Sequence, residues 1–230
     1  MPEDFIITSK TEQADDLNER GISFFNLGRY PDAIKEFTKA IKIVGNDADY
    51  YYNRGLAYYS MKMLEKARDD YLQAIKLFPE HADYHNALGS VQEDMGALED
   101  SLNSFSKAIE LENDVPDYYY NRGNVYMKMG KHSEALADFS QAVKLNDADQ
   151  IFLYRRYLAL LDMKRYEEAL SDIDALIRLI PGSIQYRIMK ADLLSEMGKR
   201  EMALQILKES SEMFPDSDEL KSRIMKMGGD

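Results

Sequence analysis

Small and large apolar side chains recur along this chain with a period of 34 residues. Stepping from Gly21 by that interval meets Gly55, Gly89, Gly123, Tyr157 and Ala191, so the register holds over six units while the side chain changes twice. Twelve positions after these stand Ala33, Ala67, Ser101, Ala135, Ala169 and Ala203, and four further on Phe37, Tyr71, Phe105, Phe139, Ile173 and Leu207. Three more bring Ala40, Ala74, Ala108, Ala142, Leu176 and Ser210. Intervals of four and three put side chains on one face of a helix. Each unit is therefore predicted as two helices, with the small residue of the first marking a close approach to its neighbour. Glycine is used there although it costs about 1 kcal/mol against alanine inside a helix. A unit of this size cannot bury its apolar face alone, and stacked neighbours bury it jointly.

Punctuation agrees with this division. Gly28, Gly96, Gly130 and Gly198 lie between the two helices, where a left-handed helix end favours glycine; Lys62 and Lys164 stand in the other two units. Just before the turn, Leu27, Met61, Met95, Met129, Met163 and Met197 are expected in the core. Pro79, Pro181 and Pro215, with Gly45, Asn113 and Asp147 at equivalent places, close the units.

These columns resemble the tetratricopeptide repeat, or TPR: a small residue early in the first helix, an aromatic three later, then Ala, a large residue and a closing Pro. The aromatic column reads Phe24, Tyr58, Gln92, Tyr126, Leu160 and Leu194. Gln92 and Ser101 in unit three, Tyr157 in unit five and Ser210 in unit six depart from the pattern and predict local changes of packing. The resemblance implies an all-α fold, a right-handed superhelical solenoid of antiparallel helix pairs. One solenoid over 12–230 is expected, with repeats at about 14–47, 48–81, 82–115, 116–149, 150–183 and 184–217. A capping helix over about 216–227 follows, with Asp216 as its cap and Leu220, Ile224 and Met227 as its apolar stripe. Residues 1–11 fall outside the pattern and are expected as a flexible arm, whose Phe5, Ile6 and Ile7 can pack on the first hairpin.

The family also implies a concave groove lined by the first helices. Repeat register assigns to it Asn18, Glu19, Ile22 and Phe25, then Tyr52, Asn53 and Tyr59, then Asn86, Glu93 and Asp94. Tyr120, Asn121 and Asn124 follow in unit four, Tyr154 and Arg155 in unit five, and Ile188 and Asp192 in unit six. Asparagine can both donate to and accept from a peptide backbone, and tyrosine adds rigid apolar area, a combination that suits an extended segment. Asn53, Asn121 and Asn124 match places where some members of the family present an asparagine ladder to peptides. The two-carboxylate clamp of co-chaperone repeats is not expected, since its convergent lysines have no counterparts here.

Charge narrows the partner. A net charge of -12 disfavours nucleic acid and anionic membranes, and Glu19, Glu93 and Asp94 on the early groove would steer in a neutral or basic segment. Asp49, Asp83 and Asp117 are better read as first-turn acids complementing helix dipoles. Arg20, Arg54, Arg122, Arg156 and Lys190 form a basic column expected to pair with acids of adjacent helices. No Cys occurs, and His81 with His85 lacks a third ligand, so neither metal nor cofactor is expected. With neither a phosphate loop nor a nucleophile elbow, the chain reads as a non-catalytic binding scaffold or adaptor. Self-association of copies, or a co-chaperone-like subunit without the clamp, is the alternative. No export signal or membrane span is visible, which predicts a cytoplasmic protein.

Overall fold

A computed structural model describes residues 2–228, with side chains from residue 9 onward. These residues form thirteen helices and no strand: α1 (Pro2–Asn26), α2 (Tyr30–Ile43), α3 (Ala48–Ser60), α4 (Leu64–Leu77), α5 (Ala82–Asp94), α6 (Leu98–Leu111), α7 (Pro116–Lys128), α8 (His132–Leu145), α9 (Gln150–Asp162), α10 (Tyr166–Leu179), α11 (Ile184–Glu196), α12 (Arg200–Met213) and α13 (Asp218–Gly228). Two compact units are present, residues 1–125 and 126–230. In the first, α1 through α6 pack in sequence, each of α1 to α5 on the helix after it; in the second, each of α8 to α12 does the same.

Glycine sits in the first helix because the second helix leaves no room for more. A Cβ added to Gly55 would stand 2.6 Å from the Tyr71 ring, and one added to Gly89 would stand 2.8 Å from the Phe105 ring. Where the first-helix residue grows to Tyr157 or Ala191, the second-helix column shrinks to Ile173 or Leu207, and all four are buried. Ala191 with Leu207 keeps roughly the volume of a glycine–aromatic pair, whereas Tyr157 with Ile173 is a bulkier pair accommodated in the same register. Repeat three replaces apolar columns with satisfied polar ones: Ser101 Oγ donates to the Gly89 carbonyl at 2.8 Å, and Ser104 Oγ to Gln92 Oε1 at 2.6 Å. Ser210 donates to the Ile206 carbonyl at 2.6 Å.

Both expected turn types appear, since Gly28, Gly96, Gly130 and Gly198 have φ of 71 to 79° and Lys62 and Lys164 have φ of 58° and 55°. Pre-turn residues correct the sequence expectation. Leu27 and Met61 are exposed rather than core, while Met95, Met129, Met163 and Met197 are half-buried. The last turn of the first helix thus reaches past the seam, where a flexible thioether tolerates partial solvation.

The two ends also differ in detail. Helix α1 begins at Pro2, so helix continues back through the stretch assigned to an arm. The packing expected of Phe5, Ile6 and Ile7 lies outside the described side chains. At the other end, Ser217 Oγ, not Asp216, accepts the first-turn N–H of Leu220 at 3.3 Å. Leu220 is fully buried with Ile188, Ala191, Leu194, Ala203 and Leu207, and Ile224 and Met227 pack against this cluster. Ile188 therefore belongs to the core and not to a groove.

Candidate functional site

Two kinds of rung join successive repeats in the first unit, and ion pairs tie together the helices within a repeat. Tyr50 Oη donates to Asp15 Oδ1 at 2.5 Å, Tyr84 to Asp49 at 2.5 Å and Tyr118 to Asp83 at 2.6 Å. Each rung joins a first helix to the one before it, so Asp49 and Asp83 are inter-repeat acceptors as well as first-turn acids. Burial, then the hydrogen bond to the carboxylate, pushes all three phenols well above the usual tyrosine range.

Asparagine supplies the second rung. Asn53 Nδ2 donates to Asn18 Oδ1 at 3.1 Å, and Asn121 Nδ2 to Asn86 Oδ1 at 3.0 Å. All four are half-buried on neighbouring first helices. An amide has two N–H donors and a carbonyl with two lone pairs. One bond per pair therefore leaves each asparagine with capacity for a backbone N–H or C=O laid across it.

The ionic contacts lie chiefly within a repeat. Arg54 grips Asp70 with two bonds at 2.8 and 2.7 Å and also donates to Thr38 Oγ1 at 3.2 Å. Arg20 lies 3.4 Å from Glu36, and Arg122 donates to Ser106 Oγ at 3.1 Å. In the second unit Arg156 holds Asp172 at 2.5 Å and Lys190 holds Asp174 at 2.8 Å. The basic column pairs with neighbouring helices, as its spacing predicts. The buried acids Glu36, Asp70, Asp138 and Asp172 were missed as a column, although each immediately precedes the large residue of its second helix.

Aromatic candidates divide by their packing. Tyr52 is wedged between Tyr71 and Tyr84, with ring centroids 5.9 and 5.0 Å away, and burial pushes its phenol up to about 12. Phe25 packs against Tyr30 at 5.4 Å. Tyr59 hydrogen-bonds Asp94; burial first and then that bond raise its phenol to about 12. Lys62 reaches the same carboxylate at 3.0 Å, so the acid is already neutralised by a cation that lies outside the first-helix register. Tyr120 and Asn124 are half-buried, as is Glu93, and Glu19 is exposed.

The second unit carries no asparagine ladder at these register positions. Tyr154 stacks on Tyr157 at 6.4 Å, Arg155 is exposed, and Asp192 pairs with Arg223 of α13. A shallow pocket of about 400 Å³ between α8 and α10 is lined by Ser133, Ser140, Ser171 and the two ion pairs Arg156–Asp172 and Arg165–Glu168. His81 stacks on Tyr84 at 4.2 Å and His85 Nε2 bonds the Pro79 carbonyl at 2.8 Å, so both serve the inter-repeat turn. Among the described residues no helix is long and apolar enough to cross a membrane.

Similarity to known proteins follows the same lines. The chain resembles YrrB, a TPR protein with an unusual peptide-binding site, with a TM-score of 0.68 and 27% identity over 83% of this chain and 97% of that one. It resembles pilF of Pseudomonas aeruginosa with a TM-score of 0.74 and 17% identity, over 95% and 99% of the two chains. For MamA the TM-score is 0.65 and the identity 20%, over 69% and 93%. These last two likenesses concern the fold alone. A comparison with curated proteins finds no match. Tetratricopeptide repeat models match residues 48–81, 116–149 and 184–217, and a TPR repeat model matches 21–62 and 94–130, so the chain belongs to the tetratricopeptide repeat family.

Proposed function

We propose that this TPR protein is a non-catalytic, cytoplasmic scaffold or adaptor that binds an extended peptide segment, neutral or basic, along the first helices of its N-terminal unit. Asn18, Asn53, Asn86 and Asn121 are the residues expected to hold the peptide backbone, with Asn124 continuing the row. Phe25, Tyr52, Tyr59 and Tyr120 supply its walls, and Glu19 and Glu93 its charge. Tyr154 and Arg155 are the corresponding contact residues of the second unit, for a separate stretch of partner.

The observation that carries this reading is the pair of asparagine rungs, Asn53 on Asn18 and Asn121 on Asn86. Each pair is half-buried and pre-oriented, so little side-chain freedom is lost when a ligand binds. Charge supports the choice of ligand: of the net -12, -10 falls on residues 1–125 and -2 on residues 126–230. An acidic unit favours encounter with neutral or basic segments. Since the two rungs are two repeats apart and packed helices lie about 8–10 Å apart, a ligand spanning both needs about five or six extended residues at about 3.3 Å each.

The test is selection of binders from a random dodecapeptide display library, followed by titration of the selected peptides. Asn53→Ala combined with Asn121→Ala should weaken them at least about tenfold, the loss of two net hydrogen bonds. Selected peptides that bind the double variant as tightly as wild type, or a set rich in acidic residues, would overturn the proposal.

A further inference from the structure

Lys62 occupies a backbone conformation that four of the six repeats give to glycine, with φ of 58°. Its ammonium sits 3.0 Å from Asp94 Oδ2 and 5.3 Å from the centre of the Tyr59 ring. Tyr59 also hydrogen-bonds Asp94, and the Glu93 carboxylate adds negative potential at the same place. A carboxylate on one side and an aromatic face on the other form a seat for a Lys or Arg side chain. Here the seat is filled from within the chain. Lys62 remains largely exposed, with 73% of its side chain accessible, so an arriving cation can displace it without unfolding anything.

We propose that Tyr59 and Asp94 form a subsite for a basic side chain of the bound segment, and that Lys62 is its resident competitor. The inference rests on the peptide-binding reading above and specifies it, by fixing where a basic residue of the ligand goes. Repeat register puts Tyr59 and Asp94 on the same first-helix face as the asparagine rungs, on α3 and α5. An incoming guanidinium must exchange with the Lys62 ammonium one for one. Affinity for basic residues is thereby held below what the seat alone would give, and neutral side chains gain nothing there.

Lys164 supplies an internal control. It stands at the same turn position in repeat five with φ of 55°. The residues equivalent to Tyr59 and Asp94 are there Leu161 and Glu196, so no aromatic face awaits its ammonium. Glycine at either position relieves the same backbone conformation, but only at 62 does it vacate a cation seat.

The experiment uses N-acetyl-arginine methylamide as probe and its neutral citrulline counterpart as reference, with backbone amide shifts around residues 59, 62 and 94 followed by NMR. Lys62→Gly should bind the arginine probe about three- to tenfold more tightly than wild type, the combined scale of an exposed ion pair and a cation–π contact. Lys164→Gly should match wild type, and Asp94→Asn in the Lys62→Gly background should lose the gain. Equal affinities for Lys62→Gly and Lys164→Gly, equal binding of the citrulline compound, or no binding to Lys62→Gly would overturn the subsite. The probe is too short to span the asparagine rungs. Asn53→Ala with Asn121→Ala should therefore leave its affinity unchanged, and the subsite and the peptide-binding reading can fail independently.

Discussion

At the scale of single residues, the most demanding contact is Arg54 with Asp70, whose side chains are only 17% and 9% exposed. Two charges taken this far from water are tolerable because the guanidinium matches the carboxylate with two bonds and gives a third to Thr38. Asp70→Ala should therefore cost about 3–5 kcal/mol, since it leaves a buried guanidinium uncompensated, whereas Arg54→Met with Asp70→Leu should recover most of that loss. Urea unfolding of the two variants decides the matter, and a double variant as unstable as the single one would show that packing rather than pairing is at stake. The sequence displayed half of this arrangement. Arg20, Arg54, Arg122, Arg156 and Lys190 were legible as a column, because a basic residue recurring beside a close-packed one needs a partner. The partner itself was not, because Arg54 and Asp70 lie sixteen positions apart on different helices. Only the packing of α3 on α4 brings them together. The same holds for Asn53 with Asn18: register assigned both to one face, but a bond across neighbouring first helices depends on interhelical distance.

At the scale of the element, α13 shows how a repeat array ends. Leu220 is one period beyond Tyr186, in the column that reads Tyr50, Tyr84, Tyr118, Phe152 and Tyr186 in earlier repeats. A leucine takes the aromatic's place and is fully buried against α11 and α12. The outward positions Lys221, Ser222, Met225 and Lys226 are exposed, so most of that face is polar. Arg200 closes the helix by donating to the Met227 carbonyl at 3.0 and 2.7 Å, satisfying an orphan acceptor of its last turn. Leu220→Ala should cost about 2–5 kcal/mol, the range for emptying a leucine site that cannot collapse. Hydrogen exchange should show the loss in α11 and α12 as well as in α13, whereas protection lost in α13 alone would mean that it only lies on the array without stabilising it. The existence and apolar stripe of this helix were readable from Leu220, Ile224 and Met227. Its true cap was not, because Asp216 and Ser217 are both good N-cap residues and the path of the chain decides between them.

Across the whole molecule, tyrosine chemistry ties stability to alkaline pH in both units. Tyr52, Tyr59 and Tyr157 are raised to about 12, chiefly by burial. Tyr50, Tyr71, Tyr84 and Tyr118 are raised further, again by burial first, with a carboxylate acceptor next for Tyr50, Tyr84 and Tyr118. A phenol titrates near 10 in the unfolded chain, so from about pH 10 upward the unfolded state sheds protons that the folded state keeps. The stabilisation these groups contribute is complete below about pH 10 and is lost progressively as pH rises toward and through their folded-state values. Each new tyrosinate also adds to a net charge that is already -12, which works in the same direction. Melting temperature should accordingly be level between about pH 7 and 9 and fall steeply above about pH 10. Tyrosinate absorbance from the buried phenols should appear together with loss of helical signal, and Tyr84→Phe should lower the plateau and make the alkaline fall shallower. If these phenols ionise near pH 10 with the helices intact, the rungs to Asp15, Asp49 and Asp83 do not hold the repeats together as the geometry requires.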